Sequence, residues 1–104
     1  MSRATYNIKA IITLFPTEAG GRHNAIQSGY RPDFGFNTEK QYSGKIELLG
    51  REELQPGQTA KVYVLLLPAR TISKNLKPSD AFSIREGNKI VGTGVIEEVN
   101  EAFA

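Results

Sequence analysis

The 104-residue sequence contains no cysteine, which excludes disulfide staples, thiolate nucleophiles and cysteine-ligated zinc. It holds a single histidine, His23, flanked by Arg22 and Asn24, so no His/Cys/Asp/Glu group has the spacing of a metal site. Long hydrophobic runs are missing too. The longest, Val62 to Leu67, is far too short for a membrane span, and Met1 to Tyr6 lacks the apolar stretch of a signal peptide. Cytoplasmic is the default location. Charge of one sign is also scarce: thirteen Lys and Arg against eleven Asp and Glu leave +2. That is well short of a dedicated DNA-binding arm, so any contact with a polyanion must come from local patches.

Catalytic constellations are equally thin. Gly44-Lys45 is the one Gly-Lys pair, and a phosphate-binding loop would need glycine at Glu39 and a hydroxyl residue at Ile46. A serine nucleophile would depend on His23 as its base, and nothing places Ser28 or Ser43 against it. The adjacent carboxylates Glu97 and Glu98 are expected on opposite faces of a strand. The expectation is a protein without enzymatic activity, with no cofactor, nucleotide or metal.

What the chain does contain is period-two alternation. Ile8, Ala10, Ile12 and Leu14 share one side of an extended segment that Pro16 ends. A long loop follows from Thr17 to about Pro32, with Gly20-Gly21 and Arg31-Pro32 inside it; such a length suggests a binding surface or a packed excursion. Phe34 and Phe36 mark a second strand, and Ile46 and Leu48 a third bounded by Gly44 and Gly50. Gln55-Pro56-Gly57-Gln58 reads as a type II turn. Lys61 to Leu67 is an apolar strand closed by Pro68, followed by a second long loop carrying Arg70, Lys74 and Lys77. Phe82 and Ile84 enter another strand, Gly87-Asn88 turns it, and Lys89 to Val99 returns. Short strands with turn signals between them predict an antiparallel sandwich or small barrel. No linker divides the chain, so residues 1–104 are read as one domain with its core in 5–99.

Three blocks carry a resemblance. Glu18-Ala19-Gly20-Gly21-Arg22-His23, leading to Ser28-Gly29-Tyr30-Arg31-Pro32-Asp33-Phe34-Gly35-Phe36, is the first; Leu54-Gln55-Pro56-Gly57 is the second. The third is Phe82-Ser83-Ile84-Arg85-Glu86-Gly87 through Val91-Gly92-Thr93-Gly94-Val95. In order and spacing they resemble the third, C-terminal domain of elongation factor Tu. The resemblance implies an all-β, six-stranded antiparallel closed barrel. It also implies a binding module, whose partners would be a tRNA stem or a protein of the translation machinery, without the GTPase domain and second barrel of the whole factor.

Site residues transfer one by one. Arg22 and His23 match a basic pair at the family's tRNA surface, and Glu86 and Gly87 match a hairpin tip that touches ribose. Ser43 stands in for a threonine. A cation, an imidazole and a carboxylate that accepts from a 2′-hydroxyl suit the shallow groove of an RNA stem. Two positions depart from the pattern: Asp33 replaces a glutamine, and Leu67 replaces a polar or basic residue.

Blander readings stand beside these. Arg22 could hold its loop by pairing with Glu18 or capping carbonyls, Tyr30, Arg31 and Pro32 could buttress the barrel, and Arg85 and Glu86 could form a cross-strand pair. With Val62, Val64 and Leu66 inward, Tyr63, Leu65 and Leu67 face outward as an apolar strip. That strip suggests a protein partner or a homodimer, unless the loop after Pro68 folds back over it.

Overall fold

Alternation in the first strand is realised residue by residue: β1 (Ile8–Leu14) buries Ile8, Ala10, Ile12 and Leu14 and turns Lys9, Ile11 and Thr13 outward. The computed structural model describes residues 6–36, 41–67 and 76–100. Within them β1 is followed by β2 (Ile26–Gln27), β3 (Asp33–Gly35), β4 (Gln41–Leu48), β5 (Glu53–Leu54), β6 (Thr59–Leu67), β7 (Ala81–Glu86) and β8 (Lys89–Val99). Six of these close a barrel in the order β1-β6-β4-β3-β7-β8, with every neighbour antiparallel. The six-stranded closed barrel expected from sequence is the fold.

The barrel is filled by inward side chains from all six of its strands. Val62, Val64 and Leu66 of β6 point in as expected, joined by Phe34, Ile46, Phe82, Ile84, Val91 and Ile96. Phe34 and Phe82 meet with ring centroids 5.8 Å apart. Space for these rings comes from glycine. Phe82 faces Gly94 across the β7–β8 pair, and a Cβ on Gly94 would lie 2.3 Å from the Phe82 ring. Asn7 is the one fully buried polar side chain among the described residues, and its Oδ1 accepts from the Leu66 amide, as a buried amide requires.

The turns follow their chemistry. Gly57 has φ 91° and Gln58 N donates to Gln55 O at 3.1 Å, the type II turn expected at Pro56-Gly57. Gly87 has φ 62° at the first central position of the two-residue β7–β8 hairpin.

Three expectations need correction. The loop from Thr17 to Pro32 has structure: a 3₁₀ turn at Thr17–Ala19, then β2, which pairs with β5. Buried Ile26 and Leu54 seal that two-residue pair, too short to register as alternation. Gly44 does not bound a strand but lies inside β4, where a Cβ would lie 2.6 Å from the Phe34 ring and 2.7 Å from the Leu65 carbonyl oxygen. Finally, Glu97 and Glu98 are both exposed, because β8 carries an extra residue where its register with β1 shifts between Lys9 and Ala10. The cations Arg70 and Lys74, and the question of whether their loop covers Leu65 and Leu67, lie outside the described residues.

Candidate binding surfaces

At the rim where β1 ends and the β7–β8 hairpin turns, three segments are tied together. Arg22 Nε lies 2.6 Å from Glu86 Oε2, and Arg22 Nη1 donates to the carbonyls of Asn24 at 2.6 Å and Ala25 at 3.1 Å. The Tyr30 hydroxyl donates to the same Glu86 oxygen. The guanidinium sits over the Tyr30 ring, 4.9 Å from its centroid. Lys89 Nζ adds a bond to the Gly21 carbonyl at 3.3 Å, and Thr17 Oγ1 donates to the Arg22 carbonyl at 2.5 Å. The loop is thereby laced to the hairpin.

This arrangement identifies the partners through which Arg22 holds its loop. Its guanidinium caps carbonyls, as one reading held, but its ionic partner is Glu86 and not Glu18. Arg22 Nη2 and Glu86 Oε1 remain uncommitted among the described residues. Glu86 does not pair with Arg85, which instead stands opposite Asp33 of the neighbouring β3 and lies near Gly35. Arg85 Nε is buried with no hydrogen-bond partner among the described residues.

The electrostatics of the cluster are set by its shared oxygen. Burial works to raise the Glu86 carboxyl, but the Tyr30 and Arg22 hydrogen bonds outweigh it and hold the group below the ordinary carboxylate value. For Tyr30 burial comes first and the adjacent carboxylate second, and both push the phenol far above its usual value. At neutral pH the cluster is therefore a neutral phenol and a cation gripping one fixed anion.

Of the five residues matched to an RNA surface, four come together here: Arg22, His23, Glu86 and Gly87. His23 is exposed and has no bonding partner among the described residues. Ser43 is on the same wall but apart. Arg85, Asp33 and Ser43 lie opposite one another on β7, β3 and β4, so two strand spacings, about 10 Å, separate Ser43 from the hairpin. Tyr30 and Lys89 complete the cluster without having been singled out as site residues. Their partners lie 56 and 68 residues away, and no spacing in the sequence signals that.

The second surface is the outer side of β6. Tyr63 points outward but is half-buried, since the Tyr6 ring stacks on it at 4.0 Å. Leu65 is half-buried and Leu67 is 49% exposed. A further apolar pair, Ile11 opposite Val95 on β1 and β8, is also exposed. Among the described residues no three His, Asp or Glu side chains gather as a metal site, and no helix is long and apolar enough to cross a membrane.

The sequence profile of the elongation factor Tu C-terminal domain matches residues 2–100, nearly the full chain, and the chain belongs to that family. The family is a β-barrel domain of the factor, whose GTPase lies in a different domain.

Proposed function

We propose that this elongation factor Tu C-terminal domain is a cytoplasmic, non-catalytic module of translation whose rim holds a double-stranded RNA stem of the tRNA type. The observation that carries the reading is the Glu86 carboxylate, fixed at a hairpin tip by Arg22 and Tyr30 with one oxygen left over. A 2′-hydroxyl donates to such an oxygen and deoxyribose cannot. His23 and the remaining Arg22 nitrogen stand beside it for phosphate, and Ser43, about 10 Å along the wall, meets the backbone further on. Asp33 lies between these contacts and opposes phosphate, so binding by this domain alone is weak.

The test is fluorescence anisotropy with tRNA at low salt. Affinity falls as salt rises, a DNA duplex of the acceptor and T-stem sequence binds less well, and His23→Ala weakens binding without changing the thermal midpoint. Absence of any binding at low salt removes the reading.

The apolar strip favours a second reading, self-association through Leu65 and Leu67. Light scattering on the parent chain and on Leu65→Glu separates the two: a dimer abolished by the substitution supports it, and a monomeric parent rules it out.

A further inference from the structure

Between β4 and β6 the outer wall holds a cleft of about 300 Å³, lined by Arg31, Ser43, Gly44, Lys45, Leu65 and Leu67. Its cations are placed unusually. Tyr30 faces Ile46 and Asp33 faces Ser43, so in the same register Arg31 falls directly opposite Lys45. Like charges at opposed positions repel each other. Neither has a hydrogen bond or ion pair among the described residues, and neither Asp33 nor Glu47, two positions along their strands, bonds to them. On the far side of Lys45, β6 places Leu65, with Leu67 opposite Ser43 in the next outward row. Among the described residues the wall thus carries an unpaired couple of positive charges beside a half-buried and an exposed leucine.

We infer that this cleft is a docking site for an extended peptide segment of a protein partner, in which a carboxylate stands two residues from an aliphatic side chain. The spacing sets the pattern. An anion shared by Arg31 and Lys45 sits midway between their chains, one and a half strand spacings from Leu65, or about 7 Å. Residues i and i+2 of an extended peptide point to the same side and are also about 7 Å apart. A carboxylate relieves the repulsion, and the aliphatic group removes leucine surface from water. A phosphodiester answers the cations but leaves the leucines without a partner, so the observations favour peptide over nucleic acid. The cleft lies apart from the Arg22–Glu86 cluster but shares Ser43 with the proposed RNA wall and its leucines with the self-association strip, and the inference requires neither of those readings.

The experiment follows amide chemical shifts of the isotope-labelled full chain during titration with a terminally blocked peptide in which glutamate and leucine are separated by one alanine. The expected result is saturable shifts centred on Arg31, Ser43 to Lys45, and Leu65 to Leu67. These are lost when lysine replaces the glutamate and weakened when alanine replaces the leucine. Arg31→Glu is the decisive variant, because it gives Lys45 an ion-pair partner in the protein itself. Peptide affinity then falls at least about tenfold, a loss of about 1.4 kcal/mol, while the thermal midpoint is unchanged or higher, so unfolding does not explain the loss. Equal binding of the lysine peptide, unchanged affinity in Arg31→Glu, or shifts at these residues with duplex RNA but not with the peptide each overturns the proposal.

Discussion

Arg22 and Glu86, 64 residues apart in the chain, meet through Nε and Oε2 at 2.6 Å. The contact joins the loop after β1 to the hairpin before β8, and it does so with a guanidinium whose Nη1 is already bonded to the Asn24 and Ala25 carbonyls. One planar group thus sets the shape of the loop and its distance from the hairpin.

Replacing Arg22 by lysine keeps the charge and removes that fork. A lysine reaches Glu86 or the carbonyls, not both sets. Because the Glu86 side chain is 38% exposed, screening limits the ionic part of the loss. Arg22→Lys is expected to cost about 1 kcal/mol by chemical denaturation, chiefly through the carbonyl bonds. Faster amide exchange at residues 22–25 with little change in the barrel strands would locate the effect in the loop.

The same cluster makes stability depend on pH at both ends of the scale. Glu86 is held below its ordinary value of 4.5, so its contribution is complete above that pH and is lost as pH falls through the lower folded value. Tyr30 is raised above 10.0, so its contribution is complete below that pH and declines as pH rises beyond it. Denaturation midpoints across pH are expected to show both limbs. Glu86→Gln flattens the acid limb and Tyr30→Phe the alkaline one; an acid limb unchanged in Glu86→Gln would mean that other carboxylates carry it.

Asn7 closes the barrel at another point. Its backbone amide donates to Val64 O at 2.9 Å, its carbonyl accepts from Asn100 N at 2.7 Å, and its side-chain oxygen takes the Leu66 amide. The residue therefore links the start of β1 to β6 and to the end of β8. Asn7→Ala leaves a buried amide without its acceptor, at a cost of about 1–3 kcal/mol in unfolding free energy. Asn7→Asp offers the same oxygen with a buried charge, and it is expected to be no more stable than the alanine variant at neutral pH.

How far the sequence foretold the molecule depends on the range of the interaction. Alternation is a local property, so β1, the inward face of β6, and the turns at Gly57 and Gly87 were legible from neighbours alone. Gly44 misled because a glycine in a strand looks like a boundary, whereas its cause is the Phe34 ring packed from a different strand. The β2–β5 pair was invisible, since two residues cannot show a period. At the site, the resemblance pointed to Arg22, His23, Glu86 and Gly87. That Tyr30 and Lys89 hold them, and that Arg31 faces Lys45, follow from register across the closed sheet, which no residue count along the chain contains.

The pairing of Gly94 with Phe82 shows most directly how composition sets this barrel's interior. A methyl at Gly94 would fall 2.3 Å from Phe82 Cζ and 2.9 Å from Ile12 Cγ2. The phenyl ring cannot yield freely, because it packs against Phe34 at 5.8 Å and Phe36 at 5.3 Å between centroids. Gly94→Ala is therefore expected to lower unfolding free energy by about 1–3 kcal/mol, despite the better strand propensity of alanine. If the ring is the cause, shrinking it helps only in that background. Phe82→Leu alone opens a cavity and destabilises. In the double variant the new methyl fills part of that space, so the combined loss is smaller than the sum of the single losses. Strict additivity in the four denaturation curves would show that the ring is not what fixes glycine at position 94.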